Sequence, residues 1–299
     1  MNPYRLTRWL AALLCLLWFA GCAPGARAAS ALPAAAAAPA ATVMPAGTPA
    51  PASFAHAYGV FLSCDASQAE RFAPYQTVVI DAAYFTAKDI AALHRAGHTV
   101  FTYLNVGSLE SFRPYYDRFV NDTLAPYEHW EEERWMDVSS VAWQTFLTDT
   151  LAKTDLELGV DGFFIDNCDV YALYPTEAVF NGLSAVLRAL VDTGKAVIIN
   201  GGDVYVDEYA RRYGGIADIM TGVNQETVFS AIHFDKGTFS RAGKEDHAYF
   251  TAYVERVAAL GGKVYLLEYT KNAKLIAEIQ AYCRQKGFDC YVSDSVELD

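Results

Sequence analysis

The chain has 299 residues, 53% of them hydrophobic and 14% aromatic, which is enough apolar material for a full core and excludes extensive disorder. Its formal charge is −12, from 23 Lys+Arg against 35 Asp+Glu. Residues 1–53 contain Arg5, Arg8 and Arg27 and no acid, so residues 54–299 carry 20 basic and 35 acidic side chains. Such a surface repels phosphate backbones, excludes nucleic acid as a partner and attracts cationic ligands.

Arg5 and Arg8 precede the apolar run WLAALLCLLWFA at 9–20. That run is too short to cross a bilayer as a helix and matches the apolar centre of an export signal. Residues 19–22, FAGC, resemble the lipobox of bacterial lipoproteins, with Phe19 where that motif usually has Leu. Residues 1–21 are therefore expected to be a lipoprotein-type signal peptide, with Cys22 as the lipidation site and membrane contact through that lipid. A simple secretory signal cleaved nearby is the alternative. Both readings place the protein outside the cytoplasm, either anchored in the cell envelope or secreted. Residues 22–53 are mostly Ala and Pro and read as a tether. The folded domain is expected to span 54–299.

From residue 58 onward, short β-rich runs alternate with helical stretches. The predicted strands are 58–63, 77–81, 99–105, 162–166, 196–200, 216–222, 263–269 and 290–295. Continuous apolar runs suggest strands buried on both faces, as in a parallel sheet. The predicted helices are 86–97, opening on Thr86 with Asp89 three residues later, then 139–159, 175–194, 247–262 and 273–287. Eight strands alternating with helices over this length give the rhythm of a (β/α)8 TIM barrel. A doubly wound nucleotide-binding sheet would need a Gly-rich phosphate loop after the first strand, and GVFLSCDAS has none.

Four cysteines fall in the folded part: Cys64, Cys168, Cys283 and Cys290. Cys283 and Cys290 flank a Gly-containing turn and are the better candidates for a disulfide in an oxidising compartment. No zinc-type Cys or His spacing falls on a suitable element, so no structural metal is expected, and no cofactor is called for.

In a barrel the chemistry sits at the carboxyl ends of the strands. Here those ends carry Asp81, Asn105, Asp166, Asn200, Glu226, Glu268 and Asp294. The fourth run, GVDGFFIDNCD (159–169), has acids on both sides of three large apolar residues. Asp166 and Asp169 belong to the catalytic end, and Asp161 to a structural turn at the opposite end. Paired carboxylates over one cleft suit glycoside hydrolysis, in which one is protonated and the other ionised. Asp166 with Glu226 is the preferred pair, and Glu268 is a third candidate. Tyr84, Phe85, Tyr103, Tyr115, Tyr116, Tyr171, Tyr174 and Tyr205 fall in or near strand-end loops, where aromatic faces can stack on sugar rings.

GVDGFFIDNCDVY resembles the GxDGxFxDNxD signature of the endo-α-1,4-polygalactosaminidase family, glycoside hydrolase family 114. The stretches 78–119, WMDVSSVAW (135–143) and VNQETVF (223–229) resemble further segments of that family in the same order. The resemblance implies a TIM barrel that cleaves α-1,4-linked galactosamine polymers, with Asp166 as nucleophile and Glu226 as general acid/base. It also implies that Asp81, Tyr103, Arg113, Asn167 and Asp169 shape the sugar site. Asn105, Asn200 and Glu268 at strand ends, with Tyr171 in the loop after strand four, complete the expected substrate-binding set. Ser108 stands where relatives often have Glu, with Glu110 two residues on. Two alternatives accompany this reading. One is a metal-dependent hydrolase using Asp81, Asp166 and Asp169 as oxygen ligands. The other is a non-catalytic glycan-binding lipoprotein on the same barrel.

Overall fold

The computed structural model describes residues 53–128 and 130–299. The proposed signal, the lipidation site and the tether up to residue 52 lie outside these residues. The chain begins with β1 (His56–Phe61), β2 (Tyr75–Ile80), α1 (Ala87–Arg95) and β3 (Thr99–Asn105). An insertion follows, made of β4 (Ser108–Glu110), α2 (Tyr116–Phe119), β5 (Thr123–Tyr127) and β6 (Trp130–Met136). Next come α3 (Val141–Phe146), a π-helical stretch (Leu147–Ala152), α4 (Lys153–Leu158) and β7 (Gly162–Asp166). The chain continues through α5 (Val170–Leu173), α6 (Glu177–Val191), β8 (Ala196–Asn200), α7 (Asp203–Tyr213) and β9 (Gly222–Glu226). It closes with β10 (Ser230–His233), β11 (Thr238–Arg241), α8 (Lys244–Ala259), β12 (Lys263–Tyr269), α9 (Ala273–Lys286) and β13 (Asp289–Ser293).

Eight strands form one parallel sheet in the order β1-β2-β3-β7-β8-β9-β12-β13, and β13 returns alongside β1. This is the expected (β/α)8 barrel. Alternation along each strand divides the core in two. Phe164, on the same face of β7 as Asp166, joins Tyr58, Val60, Ile198 and Leu267 in the inner cluster. Phe163 and Ile165 point the other way, into the cluster under the helices. Helix α1 starts as its sequence predicts, with Thr86 and Asp89 forming a reciprocal capping box.

Three expectations are corrected. The predicted sixth strand at 216–222 is a turn, in which the amides of Ile219 and Met220 both donate to the carbonyl of Ile216 at 3.0 Å. Its apolar residues Ile216, Ile219 and Met220 are buried in the cluster under the helices. The strand itself is GVNQE, which reads as polar because Asn224 and Glu226 meet partners inside the barrel. The predicted helix 139–159 is interrupted by the π-helical stretch. Thr148 hydroxyl donates to the Gln144 carbonyl at 3.1 Å, and Thr154 hydroxyl to that of Thr150 at 2.7 Å, bonds that compete with a regular ladder. Cys283 and Cys290 are free thiols.

Two additions decorate the catalytic end. The order β4-β6-β5 forms a small antiparallel sheet, and β10 with β11 forms a hairpin. At the opposite end Asp161 accepts from the Val100 amide and from His94 Nε2, each at 2.9 Å, as expected of a structural turn. No helix among the described residues is long and apolar enough to cross a membrane.

Candidate active site

Ladder register sets the height of each polar strand end. Asn105 pairs with Asp166, and Asn200 with Asn224. Glu226 stands two residues beyond Asn224 on the same face, at the mouth of the barrel. Asp166, Asn200, Glu226 and Tyr103 line one small cavity with Glu110, Glu133, Phe112 and Leu298.

Asn200 binds the two acids together. Its Nδ2 donates to Asp166 Oδ1 at 3.0 Å and to Glu226 Oε1 at 2.8 Å. Its own amide is oriented by Asn224 Nδ2, which donates to Asn200 Oδ1 at 2.6 Å, while Asn224 Oδ1 accepts from Tyr58 hydroxyl at 3.1 Å. Asp166 also accepts from Tyr103 hydroxyl and from the Asn167 amide, both at 3.0 Å. Glu226 accepts from Tyr269 hydroxyl at 2.8 Å. Burial raises both acids above the usual carboxylate range, Asp166 to about 8 and Glu226 to about 7, against the lowering effect of these donors. Near neutral pH the pair therefore holds at least one proton. Even with three donors to Asp166 and two to Glu226, Asp166 stays the higher of the two, so without substrate the remaining anion falls on Glu226.

A second pair of acids faces them. Glu110 Oε2 accepts from Arg113 Nε at 2.5 Å, and Arg113 also reaches Asp81 Oδ2 at 2.8 Å. Glu133 accepts from Ser108 hydroxyl, which itself accepts from Asn105 Nδ2 at 2.7 Å and Asn167 Nδ2 at 3.1 Å. Burial, reinforced by Glu110, raises Glu133 to about 8. Gly107 makes this packing possible, because a β-carbon there would lie 1.8 Å from the Asn167 carbonyl oxygen.

Backbone strain gathers at the same place. Three non-glycine residues among those described have positive φ: Asn167 (67°), Thr227 (55°) and Leu298 (50°). Two directly follow Asp166 and Glu226, and the third lines the cavity. Such conformations persist where surrounding structure over-determines them, and they cluster at functional sites.

The predicted site residues thus sort into three groups. Asp166, Glu226, Tyr103 and Asn200 line the cavity. Asn105, Asn167, Arg113 and Asp81 support them from behind. Asp169, Tyr171 and Glu268 sit elsewhere. Asp169 accepts from the Gly202 amide at 3.3 Å and clamps the turn before α7. Tyr171 packs edge-on against Phe180 and Tyr205. Glu268 is fully buried and accepts from the amides of Phe229 and Ser230 at 2.9 and 2.8 Å and from Ser230 hydroxyl at 2.5 Å. It is a structural staple, because its strand neighbours Leu267 and Tyr269 face inward in its place. Of the eight aromatic residues expected near a sugar, Tyr103 is the one lining the cavity; Tyr205 is core. Sequence reasoning missed Glu133, Phe112, Tyr269 and Leu298. The run WEEERWM, with Glu133 buried among exposed Glu131 and Glu132, carried a weak signal in its strand-like apolar ends. Among the described residues no three His, Cys, Asp or Glu side chains converge as metal ligands.

A sequence model described as glycoside-hydrolase family GH114 matches residues 32–298. The chain belongs to this family. It is a glycoside hydrolase, as the strand-four motif and the facing carboxylates lead one to expect. No curated protein matches the sequence significantly. Solved structures agree in fold. The glycoside hydrolase domain of PelA from Pseudomonas aeruginosa superposes with a TM-score of 0.64 at 18% identity, covering 81% of this chain and 95% of that one. Ega3 from Aspergillus fumigatus, in complex with galactosamine, gives 0.62 at 16% identity, covering 85% and 96%. The α-galactosidase TtGalA from Thermus thermophilus gives 0.53 at 11% identity, covering 81% and 58%. The GH114 chain therefore shares its barrel with enzymes of very different sequence.

Proposed function

We propose that this GH114 enzyme cleaves α-1,4-linked, galactosamine-containing polysaccharide by a retaining two-carboxylate mechanism, with Asp166 as nucleophile and Glu226 as acid/base. The observation that carries the mechanism is the Asn200 bridge. One amide nitrogen in hydrogen-bond contact with both acids keeps their facing oxygens within roughly 6 Å, nearer the ~5–5.5 Å of retaining enzymes than the ~6.5–9.5 Å of inverting ones. Substrate entry moves the shared proton from Asp166 to Glu226, and Asp166, fixed by Tyr103, Asn200 and the Asn167 amide, then attacks the anomeric carbon. Glu226 gives its proton to the departing glycosidic oxygen and then takes one from the water that releases the sugar. The resulting carboxylate keeps its bonds to Asn200 and Tyr269. The galactosamine in the Ega3 complex and the family's sequence signature support the substrate class. So does the acidity of the domain, which suits a polymer of ammonium-bearing sugars. Export, with lipid attachment at Cys22, remains part of the proposal. It rests on the N-terminal sequence.

The test incubates the protein with partly deacetylated α-1,4-galactosamine polymer beside Asp166→Asn and Glu226→Gln. Oligosaccharides should appear with the wild type, and each substitution should lower kcat by about 10²–10⁴-fold or more. NMR of the first product should show retained anomeric configuration. An inverted product would overturn the assignment of Asp166 as nucleophile.

A further inference from the structure

The cavity holding Asp166 and Glu226 has a volume of about 20 Å3, room for roughly one water molecule and not for a sugar ring. Beside it lies a groove of about 640 Å3, within the range of sites that hold small ligands. Ile232, Phe234 and Phe239 of the β10–β11 region form one side of the groove, and Thr270, Asp294 and Val296 the other. The two spaces share a wall. Phe239 packs on the ring of Tyr269, whose hydroxyl binds Glu226. Val296 lines the groove, while Leu298, two residues on, lines the catalytic cavity and is 1% exposed.

Outside the packing of Leu298 in the core, the segment making this wall is joined to the barrel by few polar contacts. Glu297 carbonyl accepts from Ser63 hydroxyl and its amide donates to Ser295 Oγ at 3.1 Å, while Leu298 carbonyl accepts from the Ser63 amide over a long 3.4 Å. Asp299 meets Arg71 at 3.5 Å with both side chains about half exposed. Leu298 also keeps the positive φ that a branched apolar residue rarely adopts. A residue of strained backbone, on a segment with few polar tethers, thus plugs a site whose neighbouring space is open.

We infer that Val296–Leu298 is a movable partition, and that its withdrawal joins the groove to the catalytic cavity as one cleft for consecutive sugars of the polymer. This rests on the glycan-hydrolase reading above. In the closed form the two acids are only 2% and 3% exposed. In the open form Leu298 leaves the ring-sized space beside Asp166 and Glu226, and neighbouring sugars extend past Phe239 and Thr270.

The test uses the full chain and compares wild type with Leu298→Ala and Ser63→Ala. The second variant loosens the tether without touching the cavity lining and decides the matter if the first misfolds. Without substrate, a carbodiimide and an amine label accessible carboxylates, read by peptide mass spectrometry at Asp166 and Glu226, with exposed Asp65 as the reference. Both variants should label several-fold faster at the two acids, because the closed form is less populated. Wild-type labelling rates in both would overturn the partition. On the polymer, Leu298→Ala should lower KM by roughly threefold or more, since a closed fraction weakens apparent affinity. Faster labelling with unchanged KM would overturn the joined cleft. A wild type inactive on galactosamine polymer would overturn the substrate reading alone, because the labelling rates need no substrate.

Discussion

Glu110 and Glu133 sit directly opposite each other on the β4–β6 ladder, both buried and both lining the cavity that holds Asp166 and Glu226. Like charges at paired positions destabilise a sheet, so at least one of the two holds a proton in the folded state. The burial of Glu133 and the charge of Glu110 raise the Glu133 carboxyl to about 8. A carboxyl raised on folding binds its proton more tightly in the native state. Stability is then full below the unfolded value and falls as pH rises toward 8. Thermal melts should show Tm decreasing between about pH 5 and pH 8, and Glu133→Gln should flatten that slope by an amount worth roughly 1 kcal/mol or more. An unchanged slope would mean that Glu133 is ionised throughout.

Asn200 lowers the pKa of both Asp166 and Glu226 by donating to each. Asn200→Ala removes those bonds, so both carboxyls should titrate higher. The pH profile of kcat/KM should shift to more alkaline values on both limbs, with kcat reduced by about 10–100-fold as the pair loses its spacing. A reduced rate with an unmoved profile would limit Asn200 to positioning.

Arg113 lies between Asp81 and Glu110, its side chain 10% exposed, and makes ion pairs with both. Removing one partner of a buried ion pair leaves uncompensated charge, at about 3–5 kcal/mol. Arg113→Met should lower Tm by roughly 10 °C or more. Arg113→Lys should restore part of this, since it keeps the charge and loses the fork that spans both acids. Differential scanning calorimetry of the two variants measures the difference.

Salt offers a test of the domain's charge. If the acidic surface draws in a cationic polymer, raising ionic strength should increase KM for deacetylated substrate more than for acetylated substrate. Equal increases would remove any role for the net charge in capturing substrate.

The barrel was legible in the sequence because fully buried parallel strands are apolar on both faces, and seven of the eight runs announced themselves in this way. The run GVNQE did not. Its polar side chains are buried by satisfying one another across the barrel, a pairing that no local pattern records. Asp166 and Glu226 were legible for a different reason: each stands in a motif at a strand end, and barrel geometry sends strand ends to one site. Glu268 also stands at a strand end, yet the pleat turns it away, onto the amides of Phe229 and Ser230. The sequence by itself determined the alternation of most barrel strands with helices and the acidic balance, because these follow from local periodicity and composition, while Asp166 and Glu226 were singled out by strand-end position and by family resemblance. Tertiary structure alone decided that Glu133, Tyr269 and Leu298 meet them. Those residues lie 33 positions before Asp166 and 43 and 72 beyond Glu226, and only closure of the sheet brings such distant segments over one barrel mouth.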